Sequence, residues 1–204
     1  MNVFPIYSRD YCSNTFLLAS GSECAIIDPG QNMSVIETAL KESSLTPKMI
    51  ILTHGHFDHI FSVDKLREKY GIPLLVHRDD AEMLSDTNKN AYSFFFGGKL
   101  SLGDADRVFS DGDVIKIGDE ELKVIHTPGH TRGSSCFICG DIMITGDTLF
   151  SAGIGRTDLY GGDMKTLFES LSKMRNIERG GEITIYPGHG GRTLLSHALD
   201  NTIY

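Results

Sequence analysis

The sequence has 204 residues, of which 40% are hydrophobic and 23% charged, with a formal net charge of −8 and a pI of about 5.4. This length and composition predict one globular domain over residues 1–204. The acidic charge argues against nucleic acid as a partner, and no apolar run is long enough to predict a membrane span.

Residues 1–5 show no basic segment followed by an apolar one, so no signal peptide is predicted and we expect a cytoplasmic protein. The four cysteines are expected to be free thiols: Cys12, Cys24, Cys136 and Cys139. The last two are three positions apart at a predicted strand. Their side chains should therefore point to opposite faces and not bind one metal ion.

The first part of the chain shows strand and helix patterns in turn. Apolar runs and alternation predict strands at 3–6, 15–18, 24–27, 49–52 and 72–76. Helical spacing of apolar side chains predicts helices at 34–42, 59–70 and 79–84, with Gly71 ending the second. These elements form one strand-rich set flanked by helices.

The second part begins with an irregular stretch, residues 88–111, which contains an aromatic cluster at 92–96. Strands are then predicted at 114–117, 122–125, 135–138, 142–145 and 183–186, and helices at 164–174 and 194–199. Two sets of strands, each closed by helices, predict an α/β sandwich with sheets inside and helices outside.

The most informative segment is residues 53–59, which reads Thr-His-Gly-His-Phe-Asp-His. It places His54, His56, Asp58 and His59 directly after the apolar run 49–52. Imidazole nitrogen and carboxylate oxygen suit zinc and related divalent metals. So many ligand-type side chains at one strand end predict a metal site.

Three further strand ends carry a glycine turn and a ligand-type side chain: His130, Asp147 and His189. His54 and His56 alternate around Gly55 and can point to one side, whereas Asp58 and His59 start the next helix. This predicts two adjacent metals. One would take His54, His56 and His130, the other would take Asp58, His59 and His189, and Asp147 would bridge them.

In this order, the seven residues resemble the metallo-β-lactamase fold superfamily. The segments 127–131, 146–150, 155–158, 161–163 and 186–190 resemble those of small glyoxalase II-like hydrolases, and the resemblance runs from about residue 16 to about 193. It implies an αβ/βα sandwich with two central mixed sheets. It also implies two divalent metal ions, zinc first with iron or manganese as alternatives.

The resemblance further implies hydrolysis of a thioester, or a related ester, by a hydroxide that bridges the metals, with Asp58 orienting it. Two departures from the glyoxalase II pattern stand out. That enzyme has a C-terminal helical extension that helps to bind glutathione, and this chain ends at Tyr204, so glutathione is not expected to be bound in that way. Arg132 stands where many relatives have proline, which should alter the rim of the pocket.

Several residues have open roles. Arg156 and Asp158 could form a buried ion pair that braces the site loop, or could contact the substrate. Tyr92, Phe94 and their aromatic neighbours could pack in the core, cover the metals as a flap or form an oligomer contact. Three histidines outside the pattern are expected to be ordinary structural residues: His77, His126 and His197.

The main rival is a persulfide dioxygenase, which resembles this chain around His54, His130 and Asp147. Such enzymes hold one iron with two histidines and an aspartate. The identity and number of the bound metals therefore distinguish a dioxygenase from a hydrolase. A lactonase and a non-catalytic metal-binding scaffold are less favoured. We expect a small-molecule substrate, with the oligomeric state open between monomer and homodimer.

Overall fold

The computed structural model describes residues 1–178 and 182–202. Its two larger sheets have six strands each. The first contains, in spatial order, β1 (Asn2–Ile6), β2 (Thr15–Ser20), β3 (Glu23–Ile27), β4 (Thr46–Ile51), β5 (Leu74–His77) and β6 (Arg107–Phe109). In the second, the order is β14 (Thr193–Leu194), β13 (Thr184–Pro187), β10 (Ile142–Gly146), β9 (Ser135–Cys139), β8 (Glu120–His126) and β7 (Val114–Ile117). A short hairpin joins β11 (Leu149–Phe150) to β12 (Gly153–Ile154).

Both large sheets are mixed. In the first, β1, β2 and β3 pair antiparallel, whereas β3, β4, β5 and β6 pair parallel. In the second, β10 and β13 pair parallel and the other neighbours pair antiparallel. Parallel neighbours need a crossover connection, and helices supply several of these crossovers.

The helices are α1 (Met33–Glu42), α2 (Phe57–Ile60), α3 (Val63–Tyr70), a 3-10 helix (Arg78–Met83), α4 (Tyr92–Phe96), α5 (Met164–Glu178) and α6 (Leu195–Asp200). Within residues 1–178 and 182–202, none of them has the length and apolar character needed to cross a membrane.

Three apolar clusters show how the layers stack. The central one lies between the sheets and includes Phe16 and Ile27 from the first sheet with Phe137 from the second. The other two lie between a sheet and its helices: α1 and α3 cover the first sheet, and α5 and α6 cover the second. Strands buried on both faces read as continuous apolar runs, as β2 and β3 do. The predicted α/β sandwich is confirmed.

The predicted helix 59–70 is wrong in one respect, because the structure contains two helices, α2 and α3, with a break at Phe61 and Ser62. The Ser62 amide donates to the carbonyl of Pro29 (2.9 Å), while the carbonyl of Asp58 accepts from the Ser13 amide (3.1 Å). These tertiary bonds replace the one that would have continued the helix. Its predicted end is confirmed: Gly71 adopts a left-handed φ of 63°.

The stretch 88–111 is more regular than predicted. It contains α4 and also β6, which extends the first sheet by pairing parallel to β5. Strand β6 has three residues, and its Val108 is exposed, so its sequence carries no detectable periodicity. Strands β11, β12 and β14 have two residues each and leave no pattern either.

Candidate metal centre

The predicted ligands meet at one edge of the sandwich, where strands of both sheets end. His54 and His56 lie in the loop after β4, and Asp58 and His59 lie in the short helix α2 that follows it. The second sheet provides the other three from the loops after β8, β10 and β13: His130, Asp147 and His189. The site therefore joins the two halves of the fold.

The first group contains His54, His56 and His130, whose ligand atoms lie within 4.8 Å of one another. His56 Nδ1 is 2.9 Å and His54 Nε2 is 3.2 Å from His130 Nε2. Burial lowers the pKa of His54 well below its usual range, and neighbouring imidazoles add to this effect. Burial and His130 lower the pKa of His56 to about 3. Neutral imidazole is the form that binds a metal.

The second group contains Asp58, His59 and His189. His189 Nε2 lies 3.1 Å and His59 Nε2 lies 3.7 Å from Asp58 Oδ2. Burial opposes the charging of His59, but nearby carboxylates, Asp28 first, outweigh it and raise the pKa of His59 well above its usual range. Burial likewise opposes ionisation of Asp58, but His59 outweighs it, so the pKa of Asp58 is lowered. The carboxylates thus favour a positive charge at His59, and a cation bound beside Asp58 would supply that charge instead.

Asp147 reaches both groups. Its Oδ2 lies 3.7 Å from His130 Nε2 in the first group and 3.6 Å from His189 Nε2 in the second, and its Oδ1 lies 3.4 Å from His59 Nε2. One carboxylate with two oxygens therefore stands between the two sets of imidazoles. This is the position that the sequence predicts for a bridging ligand.

Six buried side-chain nitrogen or oxygen atoms among the described residues make no hydrogen bond, and four of them belong to candidate ligands: His56 Nε2, His59 Nδ1, His59 Nε2 and Asp147 Oδ1. An unsatisfied buried polar group is costly, and a cation between His59 Nε2 and Asp147 Oδ1, which lie 3.4 Å apart, would satisfy both. The surrounding backbone leaves room only for glycine. A Cβ on Gly188 would lie 2.2 Å from Asp147 Oδ1, and one on Gly155 would lie 2.8 Å from His130 Nδ1. The site residues thus fit a pair of divalent cations.

Oxygen atoms of the protein face Nδ1 of three site histidines, His130, His54 and His59. His130 Nδ1 donates to the carbonyl oxygen of Arg156 (2.7 Å), which leaves Nε2 free for a metal. The Thr53 hydroxyl donates its only hydrogen to Asp28 (2.6 Å), so it accepts from His54 Nδ1 at 3.1 Å. His59 Nδ1 lies 2.9 Å from Asp28 Oδ2. In each ring, therefore, Nε2 is the nitrogen that faces the site.

Sequence reasoning missed Asp28. It directly follows β3 and precedes Pro29 and Gly30, so it shows the same pattern of strand end, turn and ligand-type side chain as the predicted ligands. That pattern could have identified it as a site residue. Its carboxylate also accepts from the backbone amide of Thr53 (2.8 Å), which anchors the start of the histidine loop.

Asp80 was also missed. It is fully buried in the 3-10 helix, and burial raises its pKa. Its carboxylate accepts from the Gly55 amide (3.0 Å), the Thr131 hydroxyl (2.7 Å) and the Gly133 amide (2.7 Å). It therefore ties the loop of His54 and His56 to the loop of His130. No local signal distinguishes it from its neighbour Asp79.

Arg156 and Asp158 form an ion pair, but the prediction that it is buried is wrong. Two hydrogen bonds of 2.6 and 2.7 Å join them, with side chains 44% and 66% exposed. A pair so exposed contributes little to stability. The contact of this loop with a candidate ligand is made by the backbone carbonyl of Arg156, which accepts a hydrogen bond from His130.

The two ligand groups open into a cavity of about 390 Å³, which five of the seven candidate ligands line: His56, Asp58, His130, Asp147 and His189. Phe95 and Phe96 of α4 also line it. Tyr92 packs behind them, 5.2 Å from Phe96 and 6.0 Å from Phe57 between ring centroids. Phe94 is 69% exposed and lies outside the cavity lining.

The remaining candidates behave as structural residues. Cys136 lies in the cluster beneath α5 and α6, and Cys139 packs against the cluster between the sheets, so the two thiols lie on opposite faces as predicted. His77, Asp79 and His126 form another group of ligand-type side chains. However, His77 Nδ1 accepts from the Asp79 amide (3.3 Å), and His126 Nε2 donates to a backbone carbonyl (2.8 Å).

Relatives with known sequences share most of the chain. It is 37% identical over 184 residues to "Probable metallo-hydrolase YqgX" of Bacillus subtilis, with 89% of this chain and 86% of the relative covered. It is 32% identical over 174 residues to "Hydroxyacylglutathione hydrolase GloC" of Haemophilus influenzae, with 84% and 82% covered.

Solved structures of similar proteins confirm the fold. The B3 metallo-β-lactamase BLEG-1 superposes with a TM-score of 0.90 at 33% identity, with 98% of this chain and 97% of that chain covered. TTHA1623 in a di-iron-bound form superposes with a TM-score of 0.84 at 30% identity, with 98% of each chain covered. The family model described as "Metallo-beta-lactamase superfamily" matches residues 10–189. The chain therefore belongs to the metallo-β-lactamase superfamily.

Proposed function

We propose that this protein is a metal-dependent hydrolase that cleaves a thioester, or a related ester, of a small molecule. The observation that carries the proposal is the pair of ligand groups joined by Asp147 at the base of an open cavity. The two relatives named as a metallo-hydrolase and a hydroxyacylglutathione hydrolase support it. The cavity volume of about 390 Å³ suits a small-molecule substrate.

Two cations would be held by the residues already grouped. The first would bind His54, His56 and His130, the second Asp58, His59 and His189, with Asp147 shared. Bound divalent cations lower the pKa of water toward neutrality and polarise a carbonyl oxygen. Nitrogen and oxygen donors suit zinc, which we propose first, with iron or manganese as alternatives.

Asp58 is proposed to orient the attacking water. Its carboxylate lines the cavity, with Oδ2 3.1 Å from His189 Nε2, and its lowered pKa keeps it ionised at neutral pH. An ionised carboxylate accepts a hydrogen bond from water and so directs the water oxygen. That oxygen bonds to the carbonyl carbon, the C–S bond breaks and a thiolate leaves. Protonation of the thiolate completes the reaction to an acid and a thiol.

The test combines metal analysis with a substrate panel: S-lactoylglutathione, a thioester without glutathione, a lactone, glutathione persulfide and a β-lactam. About two zinc-like ions per chain with turnover of a thioester would support the proposal. One iron per chain with thiol-dependent oxygen uptake would identify a dioxygenase instead. Turnover of the β-lactam alone would place the chain with its B3 metallo-β-lactamase relative.

His56→Ala tests the site assignment. We expect turnover to fall to the level of metal-free protein, because the substitution removes one of the three imidazoles of the first group. His197→Ala is the matched control, since His197 is exposed on α6 and belongs to neither ligand group. Unchanged turnover in His56→Ala, measured at full metal loading, would refute the assignment.

A further inference from the structure

The walls of the metal cavity are mostly apolar. Apart from the candidate ligands, its apolar lining residues are Phe57, Phe95, Phe96, Phe150 and Leu159. Among the other lining residues in the described part of the chain, Tyr11 and Arg156 alone have polar side chains. A substrate whose carbonyl reaches the two ligand groups must therefore place its next atoms against aromatic rings.

Three of these rings, Phe57, Phe95 and Phe96, form one surface that we call the aromatic wall. The ring centroid of Phe57 lies 5.2 Å from that of Phe95 and 5.5 Å from that of Phe96. Phe57 is buried, but Phe95 and Phe96 remain 46% and 49% exposed. Burial of exposed aromatic surface is favourable, so an apolar ligand that covers Phe95 and Phe96 would gain binding free energy.

The wall is anchored to the metal loop. The buried Asn90 accepts at its carbonyl from the amide of Phe57 (3.0 Å), the residue that follows His56. The Asn90 side chain donates to the carbonyl of Leu100 (2.9 Å) and accepts from the amide of Tyr92 (3.0 Å), at the start of α4. These bonds fix the wall relative to the ligand groups, so it acts as a preformed surface.

Arg156 does not make the cavity an anion site. Its guanidinium makes two hydrogen bonds to Asp158, which neutralises its charge, and lies 5.7 Å from the ring centroid of Phe95. A hydroxyl or amide next to the scissile carbonyl would therefore find few partners beyond the metal ligands. Burying such a group without a hydrogen bond costs free energy.

From these contacts we infer that the cavity selects substrates with an apolar acyl group, which packs on the aromatic wall. This inference rests on the proposed thioester hydrolysis and names its substrate class. We place the acyl group of the thioester, and not its thiol part, on the aromatic wall. Thiols that carry acyl groups are polar and contain amides, and the phenylalanine rings offer these amides no hydrogen-bond partners. A 2-hydroxyacyl group is disfavoured for the same reason.

The experiment uses the zinc-loaded protein and acyl thioesters of one thiol, N-acetylcysteamine. We expect kcat/KM to rise about tenfold from acetyl to hexanoyl, and propanoyl to exceed lactoyl. Phe95→Ala should remove most of the gain with chain length. Phe94→Ala is the matched control: it removes the same ring from the same helix, outside the cavity lining, and should keep the gain.

The failures of the two ideas are distinguishable. Equal turnover of all thioesters would overturn the apolar-acyl inference and leave thioester hydrolysis standing. If no thioester is cleaved, thioester hydrolysis fails, and calorimetric binding of acetate and hexanoate to the zinc-loaded protein then decides the inference. Tighter hexanoate binding that is lost in Phe95→Ala but kept in Phe94→Ala would support it, and equal binding of the two acids would overturn it.

Discussion

At the scale of single residues, two buried carboxylates outside the ligand set hold the candidate ligands in position. Asp28 touches His59 and Thr53, and Asp80 joins the two loops that carry the first group. Neither would touch a metal ion. Both act through the orientation of side chains that would, and such supporting contacts commonly change metal affinity by about 10–100-fold.

Asp28→Asn should weaken metal binding by about 10–100-fold, because the amide cannot accept from both Thr53 and His59 at the same oxygens. A competition titration against a chelator measures this affinity. Asp104→Asn makes the same chemical change at an exposed position and should bind metal like the wild type. Equal affinities in both variants would show that the Asp28 contact does not orient His59.

His77 makes stability depend on pH away from the metal site. Burial, then the stacked His126 ring, lowers the pKa of His77 to about 4, and Asp79, Arg78 and Asp111 are the other charged groups that act on it. Between pH 4 and the ordinary value of about 6.5, the unfolded chain binds a proton that the folded chain does not. The free energy of unfolding should therefore fall as pH falls through this window.

His77→Asn should remove this loss, which is at most about 3 kcal/mol, while its side chain can still accept from the Asp79 amide. Urea unfolding of metal-free protein at several pH values between 4 and 7 measures it. His197→Asn changes an exposed histidine and should keep the wild-type slope. A His77→Asn curve parallel to that of the wild type would count against a neutral, buried His77.

At the scale of elements, the site depends on how closely the strand-end loops approach each other. A Cβ on Gly30, in the loop after β3, would lie 1.8 Å from the backbone oxygen of Asp58 in α2. Backbone cannot yield as a flexible side chain can. A larger residue at this position must therefore displace α2, and with it Asp58 and His59.

Gly30→Ala should destabilise the metal-free protein by about 1–3 kcal/mol, because the added Cβ overlaps the backbone of α2. It should also lower the metal content after loading, because α2 carries the candidate ligands Asp58 and His59. Gly191→Ala is the control, since a Cβ there meets nothing within 4 Å. Urea unfolding and metal analysis of both variants test this. If Gly30→Ala matched Gly191→Ala in both measurements, the close approach would not matter.

At the scale of the whole molecule, the candidate metals join the two sheets. The ligands 54–59 come from the first sheet and His130, Asp147 and His189 from the second. A cation held from both sides binds the folded chain and not the unfolded one, so it stabilises the fold by mass action.

Removal of metal should therefore lower the stability of the whole fold, by about 2.7 kcal/mol for each site that was filled at a hundred times its dissociation constant. Calorimetry of zinc-loaded and chelator-treated protein measures the shift in Tm. His56→Ala, which lacks one ligand of the first group, should show a smaller shift. An identical Tm with and without metal would mean that the site does not join the sheets in this way.

The local sequence alone was enough to predict most strands and the sandwich, and to select the seven candidate ligands that the structure brings to one site. Apolar runs, glycine turns and ligand-type side chains at strand ends are local signals. The segment 53–59 shows this best, because four ligands fall within one loop and the start of one helix. The division of these ligands between two metals followed from the same local geometry and stays a prediction. The structure places both predicted groups at one site, together with a third group, His54, His59 and Asp147, that overlaps them.

Only the tertiary structure decided the rest. Asp80 is significant because it contacts Thr131, 51 positions away, and Ser62 ends α2 because it bonds to Pro29. Similarly, Phe95 lines the cavity and Phe94 does not, although they are neighbours in the chain. Each of these roles depends on which distant group occupies the space beside the side chain, and that is settled when the two sheets and their loops pack together.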